Sequence, residues 1–202
     1  MTYLSTESEL DALFGPVGEA SRVKETPRLS AAYRQWIQRS PFAVLATVGP
    51  GGLDASPRGD PAPLVRIVDD QTLLLPERRG NNRVDSLRNL LHDPRMALIF
   101  FVPGVRETLR VNGRARIGTD PALLAALAMQ GQAPKCVLEI AIDSVFFQCA
   151  RAVQRASLWS ADHASAGEVP TPGQMLAELS AGGIDGQRYD GELPARQAAT
   201  LY

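Results

Sequence analysis

Hydrophobic residues recur at helical spacing in two segments near the start of the chain. The periodicity predicts a short helix from Ser8 to Phe14 and a more regular one from Ser30 to Ile37. The apolar stripe of the second helix consists of Leu29, Tyr33, Trp36 and Ile37. We therefore expect helical structure before the first strand.

Short apolar runs separated by turn residues follow these helices, and such runs are typical of strands. Phe42 to Val48 is rich in aliphatic residues, and the cluster Gly49-Pro50-Gly51-Gly52 separates it from an extended segment that runs from Leu53 toward Pro57. This succession predicts a β-hairpin. Leu64 to Val68 and Thr72 to Leu75 repeat the pattern, so four short strands are expected before the next helix.

The second half of the chain alternates predicted helices with longer strands. Apolar residues at three-to-four spacing predict a helix between Asn82 and His92, and two strands follow at Arg95 to Val102 and Leu109 to Ile117. A helix begins at Asp120, where an aspartate N-cap precedes a proline, and continues to Ala128. Val137 to Phe147 supplies the last strand.

This order of elements favours a mainly β (α+β) fold, an antiparallel β-barrel with peripheral helices, over a doubly wound parallel sheet. We expect a helical extension over residues 1–40 and a barrel domain over residues 41–160. Residues 161–202 form a C-terminal appendage, helical or partly mobile, whose predicted helix is Pro172 to Leu179. This tail could wrap around a partner subunit.

Composition limits the class of protein. The chain has 202 residues, of which 45% are hydrophobic. Its 21 Lys and Arg against 22 Asp and Glu give a net charge of -1. A broad surface for nucleic acid or a membrane therefore has no support from the overall charge. Only Cys136 and Cys149 occur, and neither a signal pattern nor a long apolar run is present. These features predict a cytoplasmic protein without a disulfide framework.

Three turns rich in arginine are the candidate functional segments. They are the turn Ser56 to Asp60, the turn Glu77 to Arg83 before the predicted helix, and the turn Arg106 to Arg110, where alternation places Arg106, Thr108 and Arg110 on one strand face. A guanidinium fork suits phosphate and carboxylate groups, although a genome rich in G+C would produce the same excess of arginine. Plain polar turns or a solvated strand face would also account for the first and third segments.

The second turn gives the strongest signal for an anion site. Gly80 permits close approach of the backbone, the helix start offers unpaired amides, and Arg83 can add a bidentate contact. Three arginines beside a helix N-terminus also oppose the helix dipole unless an anion is bound. The alternative is that Arg78 and Arg79 point into solvent.

Other kinds of site have little support. His92 and His163 are the only histidines, and neither has a cysteine or carboxylate at ligand spacing, so we expect no metal site. No G-x-S-x-G elbow occurs.

Taken together, the stretches SPRGD, RRGNNRVDSLRNLLHDPR, LIFFVPGVRETLRVNGRARI and CARAVQRASLW resemble the pyridoxamine 5'-phosphate oxidase-like family of FMN-binding split β-barrels. The resemblance extends from about Pro41 to Trp159 and implies FMN bound at the interface of a homodimer. The signature of the vitamin oxidases, an Arg-x-His substrate clamp near the C-terminus, has no match in the tail. Oxidation of pyridoxamine phosphate itself is therefore not expected.

The resemblance also implies the residues that would bind the cofactor. Arg58, next to Gly59, would lie beside the flavin or its phosphate, and Asn82 with Arg83 would hold the phosphate at the helix start. Thr108 and Arg110 would face the cofactor from the later strand. Asp60, Arg79 and Asn81 would contact the ribityl chain or shape the loops. Arg155 and Trp159 would complete the pocket from the other subunit.

The resulting prediction is an FMN-dependent oxidoreductase that acts on an unknown small-molecule substrate or a nicotinamide donor. The flavin supplies the redox chemistry, so no catalytic side chain is assigned. A non-catalytic flavin-binding or redox-sensing module remains an alternative, as does the same fold with a deazaflavin or haem.

Overall fold

The computed structural model describes residues 1–160 and 168–201, so His163 and the start of the predicted tail lie outside the described residues. The helices are α1 (Glu7–Phe14), α2 (Glu19–Val23), α3 (Ala31–Arg39), α4 (Asp85–His92), α5 (Pro121–Ala126), α6 (Arg151–Arg155), α7 (Pro172–Leu179) and α8 (Gly186–Ala199). The strands are β1 (Phe42–Gly49), β2 (Gly52–Gly59), β3 (Arg66–Ile67), β4 (Thr72–Glu77), β5 (Arg95–Phe101), β6 (Thr108–Gly118) and β7 (Cys136–Gln148).

The strands form one seven-stranded sheet in the order β2-β1-β5-β6-β7-β4-β3, and each neighbouring pair is antiparallel. The sheet is not closed by hydrogen bonds between its first and last strands. This arrangement confirms the predicted mainly β fold, a split antiparallel barrel with helices around it. Within the described residues, no helix is both long and apolar enough to cross a membrane.

Most predicted elements are present with bounds shifted by one or two residues, but α4 is an exception. The helix expected from Asn82 begins at Asp85, because Asn82 has a φ of 60°, a left-handed conformation that an α-helix cannot contain. The strand expected from Leu64 to Val68 is reduced to the two residues of β3. Three helices, α2, α6 and α8, were not predicted.

The barrel interior is filled by side chains that alternate along the strands. Leu45, Leu98, Val111 and Ile140 are fully buried and lie on β1, β5, β6 and β7 respectively. Ile37 of α3 joins the same core. Because these side chains face inward at every second position, the intervening side chains of the same strands face outward.

Helix α4 is held against one end of the barrel by a close contact with β1. A Cβ atom on Gly49 would lie 2.0 Å from Oδ1 of Asn89, so only glycine leaves room for this approach. Nδ2 of Asn89 donates to Oγ1 of Thr47 at 3.1 Å. The second half of α4 is therefore fixed relative to β1.

The C-terminal residues form a hairpin of α7 and α8. Asp190 of α8 accepts a hydrogen bond from the backbone N–H of Gly173 at 2.7 Å and another from the Thr171 hydroxyl. These bonds satisfy groups at the N-terminus of α7, whose bounds match the predicted helix.

A bulge between Asn112 and Gly113 on β6 generates a first prediction about stability. A Cβ atom at Gly113 would lie 2.2 Å from the backbone oxygen of Ala141 on β7. We expect Gly113→Ala to lower the free energy of unfolding by about 1 to 3 kcal/mol, because the strands must separate to admit the methyl group. Chemical denaturation measures this change.

The matched control is Gly51→Ala, since no atom lies within 4 Å of a Cβ at that turn residue. Its effect should stay within about 0.5 kcal/mol. Equal effects of the two substitutions would contradict the proposed steric restriction at the bulge.

Candidate functional site

A cleft of about 540 Å³ lies where the ends of β2 and β4, the loop before α4 and the start of β7 meet. Its wall includes residues of two of the three arginine-rich turns. The residues from those turns are Ser56, Pro57, Arg58, Gly59, Glu77, Arg78, Arg79, Gly80, Asn81, Asn82 and Arg83. The fold thus brings together segments that are about twenty residues apart in the sequence.

Two ion pairs cross the split of the barrel beside this cleft. Nε of Arg58 donates to Oε1 of Glu77 at 2.8 Å, and Nε of Arg78 donates to Oδ2 of Asp60 at 2.7 Å. Arg58 and Asp60 lie at the end of β2, whereas Glu77 and Arg78 lie at the end of β4, and four strands separate β2 from β4 in the sheet order. The sheet therefore curls until its ends meet, and the ion pairs join them where no strand pairing does.

These pairs are largely shielded from solvent. The side chains of Arg58 and Glu77 are 17% and 13% exposed, and those of Arg78 and Asp60 are 15% and 4% exposed. At such burial the solvent screens the charges only weakly, and removing one partner leaves a poorly solvated charge behind.

A chain of hydrogen bonds connects Arg58 to the start of α4. Nη1 of Arg58 donates to Oγ of Ser56 at 2.8 Å, and the hydroxyls of Ser56 and Ser86 lie 2.8 Å apart. Because Ser86 gives its only hydroxyl proton to Asp54, Ser56 must be the donor to Ser86. The chain runs in one direction from the guanidinium to the carboxylate, and it fixes the first turn of α4 over β2.

The loop before α4 lines the cleft and leads into a helix without a side-chain cap. Val84 occupies the N-cap position and its side chain cannot accept a hydrogen bond, so no side chain caps the first amides of α4. Oδ1 of Asn81 accepts from the backbone N–H of Arg83 at 2.9 Å and shapes the loop. Asn82 and Arg83 therefore precede the helix, which corrects their expected place at its first turn.

Arg83 is less available than the sequence suggested. Its Nε donates to Oδ2 of Asp85 at 2.6 Å, and this hydrogen bond raises the pKa of the guanidinium above its ordinary value. The side chain is 80% exposed, so water screens the pair and either partner can separate from it at low cost.

Two cations of the cleft differ from the arginines described above. Within the described residues, no ion pair involves Arg79 or Lys135. Both side chains belong to exposed residues of the cleft wall. The cleft therefore carries positive charge that the chain itself does not offset.

The thiol of Cys136 forms a neutral part of the same wall. Burial raises the pKa of this thiol above its ordinary value, and the negative charge of Glu77 raises it further. The sulfur is therefore protonated at neutral pH and contributes apolar surface to the cleft rather than a nucleophile.

Thr108 and Arg110 share one face of β6, as the alternation predicted, but they do not line the cleft. Oγ1 of Thr108 donates to Oε1 of Gln148 at 3.3 Å. The guanidinium of Arg110 lies 4.8 Å from the ring centre of Phe146, and its buried Nε has no hydrogen-bond partner among the described residues. These two residues belong to the outer surface of the barrel.

Trp159 lies at a third location. Its indole N–H donates to the backbone oxygen of Val105 at 2.7 Å, beside Arg106 and away from the cleft. Arg155, at the end of α6, is exposed. One chain therefore assembles six of the predicted residues, namely Arg58, Gly59, Arg79, Asn81, Asn82 and Arg83, around the cleft, with Asp60 paired to Arg78 beside it.

Sequence reasoning missed the contributions of β7 and of the acidic partners. The sequence indicates Glu77 only as part of a turn, and no pattern connects Lys135 or Cys136 with the site. Lys135 had a usable signal, because it is one of only two lysines in a chain whose other basic residues are arginines.

The family model described as Pyridoxamine 5'-phosphate oxidase matches residues 29–149. No curated protein matches the chain significantly. Among solved structures, HupZ of Group A Streptococcus is 23% identical, with 59% of this chain and 93% of that chain covered and a TM-score of 0.46.

Two further solved structures show a comparable likeness. A candidate pyridoxamine 5'-phosphate oxidase of Lactobacillus delbrueckii is 21% identical over 60% of this chain and 95% of that chain, with a TM-score of 0.47. An F420 reductase is 19% identical over 58% of this chain and 98% of that chain, with a TM-score of 0.45. At these levels of similarity, no property of the three proteins is carried over to this chain.

The ion pair across the split generates a second prediction. We expect Glu77→Gln to lower the free energy of unfolding by about 1.5 to 3 kcal/mol, because Arg58 would keep its charge in a shielded position without a counter-charge. Urea denaturation measures the change.

Glu139→Gln is the matched control, since the Glu139–Arg116 pair has side chains that are 46% and 81% exposed. Its loss should stay below about 1 kcal/mol. If the two substitutions cost the same, the pair beside the cleft does not hold the barrel ends together.

Proposed function

Since the chain belongs to the pyridoxamine 5'-phosphate oxidase family, we propose that it binds FMN and acts as a flavin-dependent oxidoreductase. The observation that carries the proposal is the cleft beside α4, where unpaired positive charge and uncapped helix amides lie together. Its substrate would be a small molecule or a nicotinamide donor. Pyridoxamine phosphate is not proposed as the substrate, because the tail lacks the Arg-x-His clamp.

The residues of the cleft fit the phosphate end of FMN. Arg79 has no carboxylate partner within the described residues, so an anion would supply its missing counter-charge. The first amides of α4 would donate to phosphate oxygens at the positive end of the helix dipole. Asn81 and Asn82 add side-chain amides to the same loop, and Arg83 can exchange Asp85 for the phosphate.

The other part of the cleft suits an uncharged ring system. Arg58 is neutralised by Glu77, the Cys136 thiol is protonated, and Pro57 and Leu64 add apolar surface. The hydrogen bonds of Arg58 to Glu77, Ser56 and Pro57 use Nε and Nη1. Its Nη2 can therefore donate to the polar edge of a bound ring. When bound, the flavin would supply the transfer of a hydride, and the chain's residues would orient it.

We further propose that two copies of the chain form the complete site. The outward side chains of β2, β1 and β5 form an apolar surface, here named the sheet face, that is exposed along β2 and partly exposed along most of β1 and β5. It consists of Leu53, Ala55 and Pro57, with Phe42, Val44 and Ala46, and with Ala97, Ile99 and Phe101. Exposed apolar surfaces of this kind are typical of protein interfaces.

The position of the sheet face explains why the predicted residues fall into separate groups. Pro57 is part of both the sheet face and the cleft, so a second copy on this face would lie next to the cleft. The face continues onto β6, where Arg110 lies opposite Ile99 and has a buried Nε that no residue in the described part of the chain contacts by a hydrogen bond. We infer that Thr108 and Arg110 of one copy complete the cleft of the other.

The absorption spectrum tests cofactor binding directly. After incubation with FMN and gel filtration, the protein should retain the flavin bands, and Arg79→Ala should lower FMN affinity about tenfold, the loss expected for a charge-assisted hydrogen bond. Arg66→Ala is the control, because Arg66 is an exposed residue of β3 outside the cleft. A wild-type protein that retains no FMN would refute the cofactor assignment.

Turnover requires a separate measurement. A loaded oxidoreductase should consume reduced nicotinamide in the presence of an electron acceptor, whereas a flavin-binding module without turnover should not. Screening NADH and NADPH with oxygen and quinone acceptors separates these two functions.

The sheet face generates a prediction about assembly. Ala97→Glu should convert a dimer into a monomer and weaken FMN binding, because a charge would be buried at the centre of the interface. Ala141→Glu is the matched control on an exposed position of β7. Light scattering coupled to gel filtration gives the mass of each variant, and a dimer that survives Ala97→Glu would exclude this face as the interface.

A further inference from the structure

Lys135 enters the cleft from a different part of the fold than the arginines. It directly precedes β7, and its backbone N–H donates to the backbone oxygen of Glu77 at 3.2 Å. This bond ties the lysine to the end of β4, beside the Arg58–Glu77 ion pair. The pairing of β4 with β7 therefore positions Lys135 next to the residue that closes the barrel.

The side chain of Lys135 spans the mouth of the cleft. Its Nζ donates to Oδ1 of Asn82 at 3.0 Å, so it reaches from the start of β7 to the loop before α4. The partner atom is the oxygen of a neutral amide. Asn82 itself has a left-handed backbone conformation, with a φ of 60°.

Lys135 differs from most other cations of the cleft, because those cations are paired with carboxylates. Arg58, Arg78 and Arg83 each have a carboxylate partner. Lys135 has none within the described residues, although it lies among acidic and basic groups at the cleft. An ammonium that meets only a neutral acceptor retains the ability to bind an anion.

We propose that Lys135 is a phosphate-binding residue of the cleft and that a phosphate oxygen of the bound cofactor replaces Oδ1 of Asn82 as its acceptor. The exchange is favourable because the anionic phosphate oxygen adds Coulomb attraction between opposite charges, which the neutral amide oxygen does not supply. This inference rests on the proposed function, which supplies the phosphate as part of FMN.

The inference implies that Lys135 discriminates between flavins. Riboflavin has the ring and ribityl chain of FMN but no phosphate, so it offers no anion to the ammonium. Lys135 should therefore contribute to FMN affinity and leave riboflavin affinity unchanged. A residue that only stabilised the loop would affect both ligands equally.

The test is the dissociation constant of each flavin, measured by fluorescence quenching. Lys135→Gln should weaken FMN binding about tenfold or more and change riboflavin binding by less than about twofold. Lys135→Arg should recover most of the FMN affinity, because it restores the cation. Lys24→Gln, which removes the only other lysine, should leave the ratio of the two constants unchanged. Equal changes for both flavins, or no change for either, would overturn the assignment.

Acylation of lysines distinguishes failure of this assignment from failure of the proposed function. Mass spectrometry can follow the acetylation of Lys135 and Lys24 separately in the wild-type protein. If the protein binds no FMN but inorganic phosphate protects Lys135 relative to Lys24, the phosphate role stands and the FMN assignment fails. If neither FMN nor phosphate protects Lys135, both are wrong.

Discussion

The shape of the barrel end depends on two ion pairs that act where strand pairing is absent. Among the strands, β2 pairs with β1 alone, so its far edge would have no contact with β4 if Arg58 did not meet Glu77 and Asp60 did not meet Arg78. The two pairs fix the distance between β2 and β4. Because the cleft lies between these strand ends, its width follows from the same contacts.

The ion pairs also divide the cations of the cleft by role. Arginines that close the barrel have their charges offset by carboxylates, and the hydrogen-bond chain from Arg58 to Asp54 extends this neutral region to the start of α4. Arg79 and Lys135 lie outside it and keep their charge. A ligand with a charged end and an uncharged ring fits this division, and its orientation in the cleft follows from it.

The sequence predicted most of the strands, since short apolar runs such as Phe42 to Val48 are bounded by turn residues. It placed α4 too early, because the left-handed conformation of Asn82 has no apolar signature. Local patterns also identified the arginine-rich turns but not their partners. The contact of Arg58 with Glu77 depends on how the whole sheet curls, which no local pattern records.

The central claim is that the cleft of one copy and the sheet face of another together bind one cofactor. Co-expressed chains carrying Arg79→Ala and Arg110→Ala test it, at an FMN concentration that loads neither variant alone. In a mixed dimer, one site keeps both arginines and the other lacks both, so the account predicts that each mixed dimer recovers one of its two sites. For equal expression and random pairing, this is about a quarter of all sites in the mixture. A mixture that binds no more FMN than the separate variants would contradict a site shared between two chains.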